Sequence, residues 1–285
     1  LKPNEDRRLI ADRYTVQHTL GEGGMGTIYR VLDGVTGMEL ALKSLRLDNH
    51  TGSDVLMTQF QREYHTLKQL SHPRIIRVYD FGFAAGSPYY TMELLDGRDI
   101  RELAPLKSDR ACALLRDIAS SLAIIHSRKL VYRDLSPRNV RCTSDGRAKL
   151  LDFGALTPIG VPSHIIGTPA FVPPEAIYGQ PLDQRADLYS LGALAYWLLT
   201  GSPPFEVSQL HELRDAWRSR PTLPSALVQG VPEALSALIM SLLSQSPTGR
   251  PQHAGEVIDK LGAIAQLPPE HDLGVVHAYL TTPEL

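Results

Sequence analysis

Three stretches near the start of the chain, YTVQHTL, TIYRVLD and MELALKSL within residues 14–46, are rich in β-branched and aromatic residues. The glycine-bearing turns GEGGMG and DGVTG separate them, which predicts three strands. Phe60, Leu67 and Leu70 with charges between them predict a helix over 55–70, and two more strands are expected near 75–81 and 88–94. From residue 108 the period changes. Ala111, Leu114, Leu115, Ile118, Leu122 and Ile125 recur at helical spacing, with Ser108 as the expected cap. A β-rich patch over 130–152 precedes helical patterns at 187–200, 206–218, 232–244 and 253–265. The pattern is α+β: a mostly β N-terminal part, then a mostly helical C-terminal part.

The 285 residues suffice for one large domain or two lobes. A net charge of −2 argues against a nucleic-acid or anionic-lipid partner held by bulk electrostatics. Two cysteines, Cys112 and Cys142, read as packed or idle thiols in a reducing, cytoplasmic location. The longest apolar run, LGALAYWLL at 191–199, is too short for a membrane span. No signal peptide is visible. The chain starts at Leu1 and ends in TTPEL without a helix cap, so both ends read as edges of a piece of something larger.

Gly21, Gly23 and Gly26 form G-x-G-x-x-G, with Glu22 and Gly24 between them. Glycines let a backbone close over phosphates, but alone the motif is weak and a plain hairpin turn is the better reading of it. The strand expected after it argues against a dinucleotide fold, which needs a helix there. Lys43 lies on the third expected strand and Glu63 on the helix after it. Each alone reads as a surface charge; their order behind the glycine loop raises both. VYRDLSPRNV holds Asp134 and Asn139 at D-x-x-x-x-N spacing, and AKLLDFG brings Asp152. Two carboxylates and a carboxamide on neighbouring loops suit Mg²⁺, which prefers oxygen ligands.

Taken jointly, these motifs resemble the eukaryotic-type protein kinases, most of all the bacterial Ser/Thr branch, from about Tyr14 to Ile264. The resemblance implies a bilobal protein kinase-like fold, with a small mostly β N-lobe over 14–95 and a larger mostly α C-lobe over 96–265. Residues 1–13 would be an N-terminal extension and 266–285 a tail or linker. ATP and Mg²⁺ would be the cofactors, and a Ser or Thr hydroxyl of a protein, the chain itself included, the acceptor. The Gly21–Gly26 loop would cover the phosphates, and Lys43, paired with Glu63, would hold two of them. Asp134 would accept or orient the hydroxyl proton, and Asn139 and Asp152 would bind Mg²⁺. Leu20, Ile28 and Ala41 would roof the adenine, Met92 would be the gatekeeper, and the backbone of Glu93 and Leu95 would supply hinge bonds. Thr168 in GTPAF would contact Asp134, Glu175 would pair with Arg250, and Asp187 in DLYSLG would anchor the catalytic loop. Leu67, Val78, Tyr132 and Phe153 would stack as the apolar link of an active kinase. Similar bacterial kinases carry sensor or ATPase modules, so a fused C-terminal regulatory module is an expected partner.

Three departures shape the expectation. Ser136 stands where the branch has a lysine, and Arg138 is the candidate replacement for that charge. Arg141 replaces an apolar residue under the adenine, where a guanidinium could stack on the base, swing out or obstruct. The activation segment, DFGALTPIGVPSHIIGTPAFVPPE, is short and proline-rich, with Thr157 and Ser163 as candidate phosphorylation sites and Arg133 as the residue to meet a phosphate. A pseudokinase or ATP-binding scaffold is the alternative that Ser136 and Arg141 motivate. A small-molecule kinase is a third reading, opposed by GTPAF, DLYSLG and the expected Glu175–Arg250 pair. His72 and His126 read as structural, and Trp197 and Trp217 as core.

Overall fold

The computed structural model describes residues 8–23, 26–46 and 53–268, in two compact units. The N-terminal unit holds β1 (Leu9–Ile10), β2 (Tyr14–Gly23), β3 (Gly26–Asp33), β4 (Glu39–Leu45), α1 (Ser53–Gln69), β5 (Val78–Ala84) and β6 (Ser87–Glu93). The strands form one antiparallel sheet in the order β1-β2-β3-β4-β6-β5. The sheet starts earlier than the apolar pattern suggests, because Leu9 and Ile10 pair with Thr15 and Tyr14. Period-two alternation buries Tyr14, Val31, Leu40 and Leu42 with Ile10 and Tyr89. Phe60 and Tyr64 of α1 pack on the rings of Phe81 and Tyr90, so aromatic contacts seat the helix on the sheet. Arg13 holds Asp33 through two bonds of 2.7 Å, which ties the start of β2 to the end of β3.

The C-terminal unit takes in His72–Ile75 and the chain from Gly97. It holds β7 (Arg98–Asp99), α2 (Ser108–Ser127), β8 (Leu130–Val131), β9 (Val140–Cys142), β10 (Ala148–Leu150), β11 (Thr157–Pro158), α3 (Pro174–Ile177) and α4 (Gln184–Thr200). After these come α5 (Leu213–Ala216), α6 (Pro224–Leu227), α7 (Glu233–Leu242) and α8 (Ala254–Ile264). Two small sheets, β7-β9-β10 and β8-β11, lie among these helices. α4 is buried on nearly all sides, as expected of a helix that is apolar almost all round.

Three local expectations shift. Lys107 rather than Ser108 is the N-cap of α2, and Ser108 is its first helical residue. The expected helix over 206–218 is broken: a capping box between Gln209 and Glu212 starts a 3₁₀ turn at Leu210, and α5 has only four residues. Residues 75–77 precede β5, and Ile75 instead forms a bridge to Leu150. Among the described residues no helix is long and apolar enough to cross a membrane.

Candidate active site

In the N-terminal unit, β4 and α1 bring Lys43 and Glu63 together. The Lys43 Nζ donates to Glu63 Oε1 at 2.8 Å and Oε2 at 3.0 Å, and the Tyr90 hydroxyl donates to Oε1 at 3.0 Å. Both charges are buried, and such a pair is costly to break because the survivor is left uncompensated. Alternation along β4 puts Ala41 on the same face as Lys43, and Ala41 pairs in register with Met92 of β6. Gly26 must be glycine: its φ is +147°, and a Cβ would lie 2.1 Å from the Ser44 carbonyl oxygen. Above Gly21 and Gly23 a Cβ would meet nothing within 4 Å, so no packing demands glycine there. A loop that leaves its backbone open in this way fits close approach by a phosphate. Leu20 is 46% exposed, Ile28 is half-buried, and Glu22 lies 3.5 Å from Arg46. Gly24 lies outside the described residues. The Glu93 N–H is spent on the Arg77 carbonyl, so a hinge bond from Glu93 has to use its carbonyl oxygen. Leu95 follows just past the end of β6. Leu67 and Val78 are buried in this unit.

In the C-terminal unit, Asp134, Asn139 and Asp152 gather on the loops around β9 and β10. The Asn139 amide nitrogen donates to both the carbonyl and the Oδ2 of Asp134 at 2.8 Å, which orients that carboxylate. The other end of the Asn139 carboxamide is an oxygen, the donor type Mg²⁺ takes. Asp152 accepts the Gly154 N–H at 3.0 Å and lies near enough to Asp134 for its charge to be felt. Burial pushes the Asp134 carboxyl above its ordinary value and the Asp152 charge adds to this; bonds from Asn139 and the Thr168 N–H, and the Arg138 charge, pull the other way. Thr168 thus meets Asp134 through its backbone. One neutral oxygen donor and one carboxylate beside a second carboxylate fit a hard divalent cation.

The loop is held from α4. Asp187, fully buried, accepts the N–H groups of Tyr132 and Arg133 and the Nε2 of His126, each at 2.8 Å. Ser190, one turn further, donates to the Phe171 carbonyl at 2.7 Å and so fixes the GTPAF loop. Gly167 in that loop has φ +125°, and a Cβ there would lie 3.2 Å from the Arg133 carbonyl oxygen. Glu175 and Arg250 form a buried two-bond pair at 2.6 and 2.8 Å. Tyr132 and Phe153 meet edge to face with centroids 5.2 Å apart. Sequence reading misses three features, one of them within its reach. His126 joins the loop anchor rather than only the core, and nothing local to its helix signals a partner 61 residues away. The Arg133 guanidinium donates to the His164 carbonyl of the activation segment. Ser190 was findable, since it shares a helix face with Asp187 at i, i+3.

The departures also have places. Ser136 is 1% exposed, and its hydroxyl has no hydrogen-bond partner among the described residues. Arg138, two residues on, is exposed. Arg141 is half-buried on β9, in register with Lys149 on one side and Asp99 on the other. Ser163 is exposed and lies 2.8 Å from the Nδ1 of His164, and Thr157 pairs with Val131 in the β8-β11 sheet. Trp217 is buried, with its Nε1 donating to the Tyr189 hydroxyl, while Trp197 is only half-buried.

The family model described as "Protein kinase domain" matches residues 14–260. The chain belongs to the protein kinase family. Its β-rich and helical units are the two parts of the α+β kinase fold. Curated relatives place this kinase domain among bacterial serine/threonine-protein kinases. It is 36% identical to the DNA damage-responsive serine/threonine-protein kinase RqkA of Deinococcus radiodurans, over 95% of this chain and 41% of that protein. It is 33% identical to the serine/threonine-protein kinase PknL of Mycobacterium tuberculosis, over 90% of this chain and 67% of the relative. For PksC of Streptomyces coelicolor the identity is 30%, over 91% and 50%. The kinase domain thus spans about half the length of these relatives.

Proposed function

We propose that this domain is a working ATP- and Mg²⁺-dependent protein Ser/Thr kinase. The observation that carries the reading is the Asp134 carboxylate, oriented by Asn139 and Thr168 on a loop that Asp187 pins at two successive backbone N–H groups. A nucleotide scaffold has no need for an oriented carboxylate. Asp134 accepts the proton of the acceptor hydroxyl and holds that oxygen in line. Lys43, kept in place by Glu63, binds the phosphates of ATP, and the loop around Gly21, Gly23 and Gly26 covers them. Asn139 and Asp152 hold the metal, which neutralises phosphate charge when bound. Leu20, Ile28, Ala41, Met92 and the carbonyl of Glu93 with Leu95 form the adenine site. GTPAF, fixed by Ser190, seats the residue beside the acceptor Ser or Thr.

Arg138 takes the role of the missing lysine. The Ser136 side chain is buried and uncharged, whereas Arg138 is exposed and its charge acts on Asp134. Because the Arg133 guanidinium binds the activation-segment backbone, the segment holds its shape without a phosphate on Ser163. The test is phosphate transfer from ATP to a pool of Ser- and Thr-containing peptides. The parent transfers; Lys43→Met and Asp134→Asn lose at least about a hundredfold in rate. A parent that binds nucleotide but transfers no better than these variants points to the scaffold reading.

A further inference from the structure

Within the N-terminal unit, the Lys43–Glu63 pair rests on a third side chain. Tyr90 stands directly opposite Lys43 in the antiparallel register of β4 and β6, so the two side chains rise from the same face of the sheet. The Tyr90 hydroxyl donates to Glu63 Oε1 at 3.0 Å, the same oxygen that takes the Lys43 Nζ at 2.8 Å. That Nζ also lies 5.8 Å from the centroid of the Tyr90 ring, close enough for a cation–π contact. Tyr90 is buried.

Tyr90 meets α1 at three positions of one helix face, since Phe60, Glu63 and Tyr64 are spaced i, i+3, i+4. Its ring packs on Phe60 and Tyr64 at 5.0 and 5.9 Å between centroids, and its hydroxyl reaches Glu63. The ring contacts set how closely the helix sits on the sheet. The hydrogen bond is directional and sets the rotation of the helix about its own axis. An ammonium carries three rotatable donors. When Lys43 turns part of them toward a phosphate, Glu63 loses some of its compensation, and a buried carboxylate short of donors is costly. The Tyr90 hydroxyl is a neutral donor to Oε1 that a phosphate does not draw away.

We propose that Tyr90 is a positioning residue for the phosphate-binding lysine: its hydroxyl fixes the rotation of α1 and holds Glu63 in place to aim Lys43, with and without nucleotide. The proposal rests on the reading of Lys43 as the group that binds the phosphates, and not on phosphate transfer itself.

The experiment compares the parent with Tyr90→Phe and Tyr14→Phe. Tyr90→Phe keeps the ring and its packing on α1. Tyr14→Phe removes another core hydroxyl of the same sheet, the one that donates to Asp80 at 3.1 Å, and so controls for lost stability alone. Mg-ADP affinity is measured by calorimetry, hydrogen exchange is followed over 57–66, and ATP kinetics are run on a peptide pool. Tyr90→Phe is expected to weaken Mg-ADP by about tenfold, the size of one hydrogen bond to a charge. It also speeds exchange over 57–66 and raises the ATP KM by a larger factor than it lowers kcat. Tyr14→Phe moves the thermal midpoint and none of these. A parent that transfers no phosphate, yet loses Mg-ADP affinity and α1 protection in Tyr90→Phe, removes the kinase reading and leaves this proposal supported. Tyr90→Phe that matches Tyr14→Phe in Mg-ADP affinity and α1 exchange overturns it. Should Tyr90→Phe not fold, exchange over 57–66 in the parent decides. Protection that is the same with and without Mg-ADP supports the proposal, and protection gained only with Mg-ADP overturns it, because the nucleotide then sets the place of α1.

Discussion

At Ser136 a single residue sets the question of activity. Its hydroxyl is buried and without a partner among the described residues, so it carries a desolvation penalty and returns nothing visible to the loop. Ser136→Ala is therefore expected to leave the thermal midpoint unchanged or slightly raised, with transfer within about twofold of the parent. Arg138→Ala is expected to cut kcat by about 10²–10³, the usual size of a lost charge aimed at the transition state. Steady-state kinetics on the two variants separate the roles. A large loss in Ser136→Ala beside a mild one in Arg138→Ala would reverse the assignment. Residue identity and spacing made both positions visible from sequence. Burial did not follow from them, because whether a loop side chain points inward depends on segments distant in the chain.

Among the elements, α4 organises the C-terminal unit. Asp187 pins the catalytic loop, Ser190 pins GTPAF, and Tyr189 receives the Trp217 indole while the Arg250 guanidinium lies 4.9 Å over its ring. The helix was legible from its long apolar run, and the role of Asp187 from the resemblance. The helix expected at 206–218 failed because apolar spacing ignored the Gln209–Glu212 capping box, which fixes a later start. The short segment His72–Ile75 carries its own prediction. His72 accepts the Arg74 N–H at Nδ1 and meets the Ser120 hydroxyl at Nε2, and burial, helped by Arg74 and Lys149, pushes its pKa down to about 4. The unfolded chain, with an ordinary histidine near 6.5, binds more protons between these values, so stability must fall as pH drops from about 6.5 toward 4. The slope from this one group approaches about 1.4 kcal/mol per pH unit. Denaturant titrations at several pH values should show that slope in the parent and a shallower one in His72→Asn. Equal slopes would mean that His72 is not held neutral by the fold.

For the whole molecule, the family was legible because its motifs are separated in sequence yet ordered: glycine loop, strand lysine, helix glutamate, D-x-x-x-x-N, DFG. Each is weak alone, and their order is what a single domain preserves. The structure adds that both halves of the machinery are internally assembled, with Lys43 on Glu63 in one unit and Asp134 on Asn139 in the other. What the sequence could not convey is how the loops are held, since His126, the Arg133–His164 bond and the Arg116–Pro268 bond all join residues far apart along the chain. The most direct test of the central claim is the intact mass of the purified protein after incubation with Mg²⁺ and ATP, beside Asp152→Ala treated identically. An active kinase that accepts its own hydroxyls gains the mass of one or more phosphates, and the variant gains none. A parent that stays unmodified, and also transfers nothing to the peptide pool, contradicts the account and leaves a nucleotide-binding scaffold as the better description.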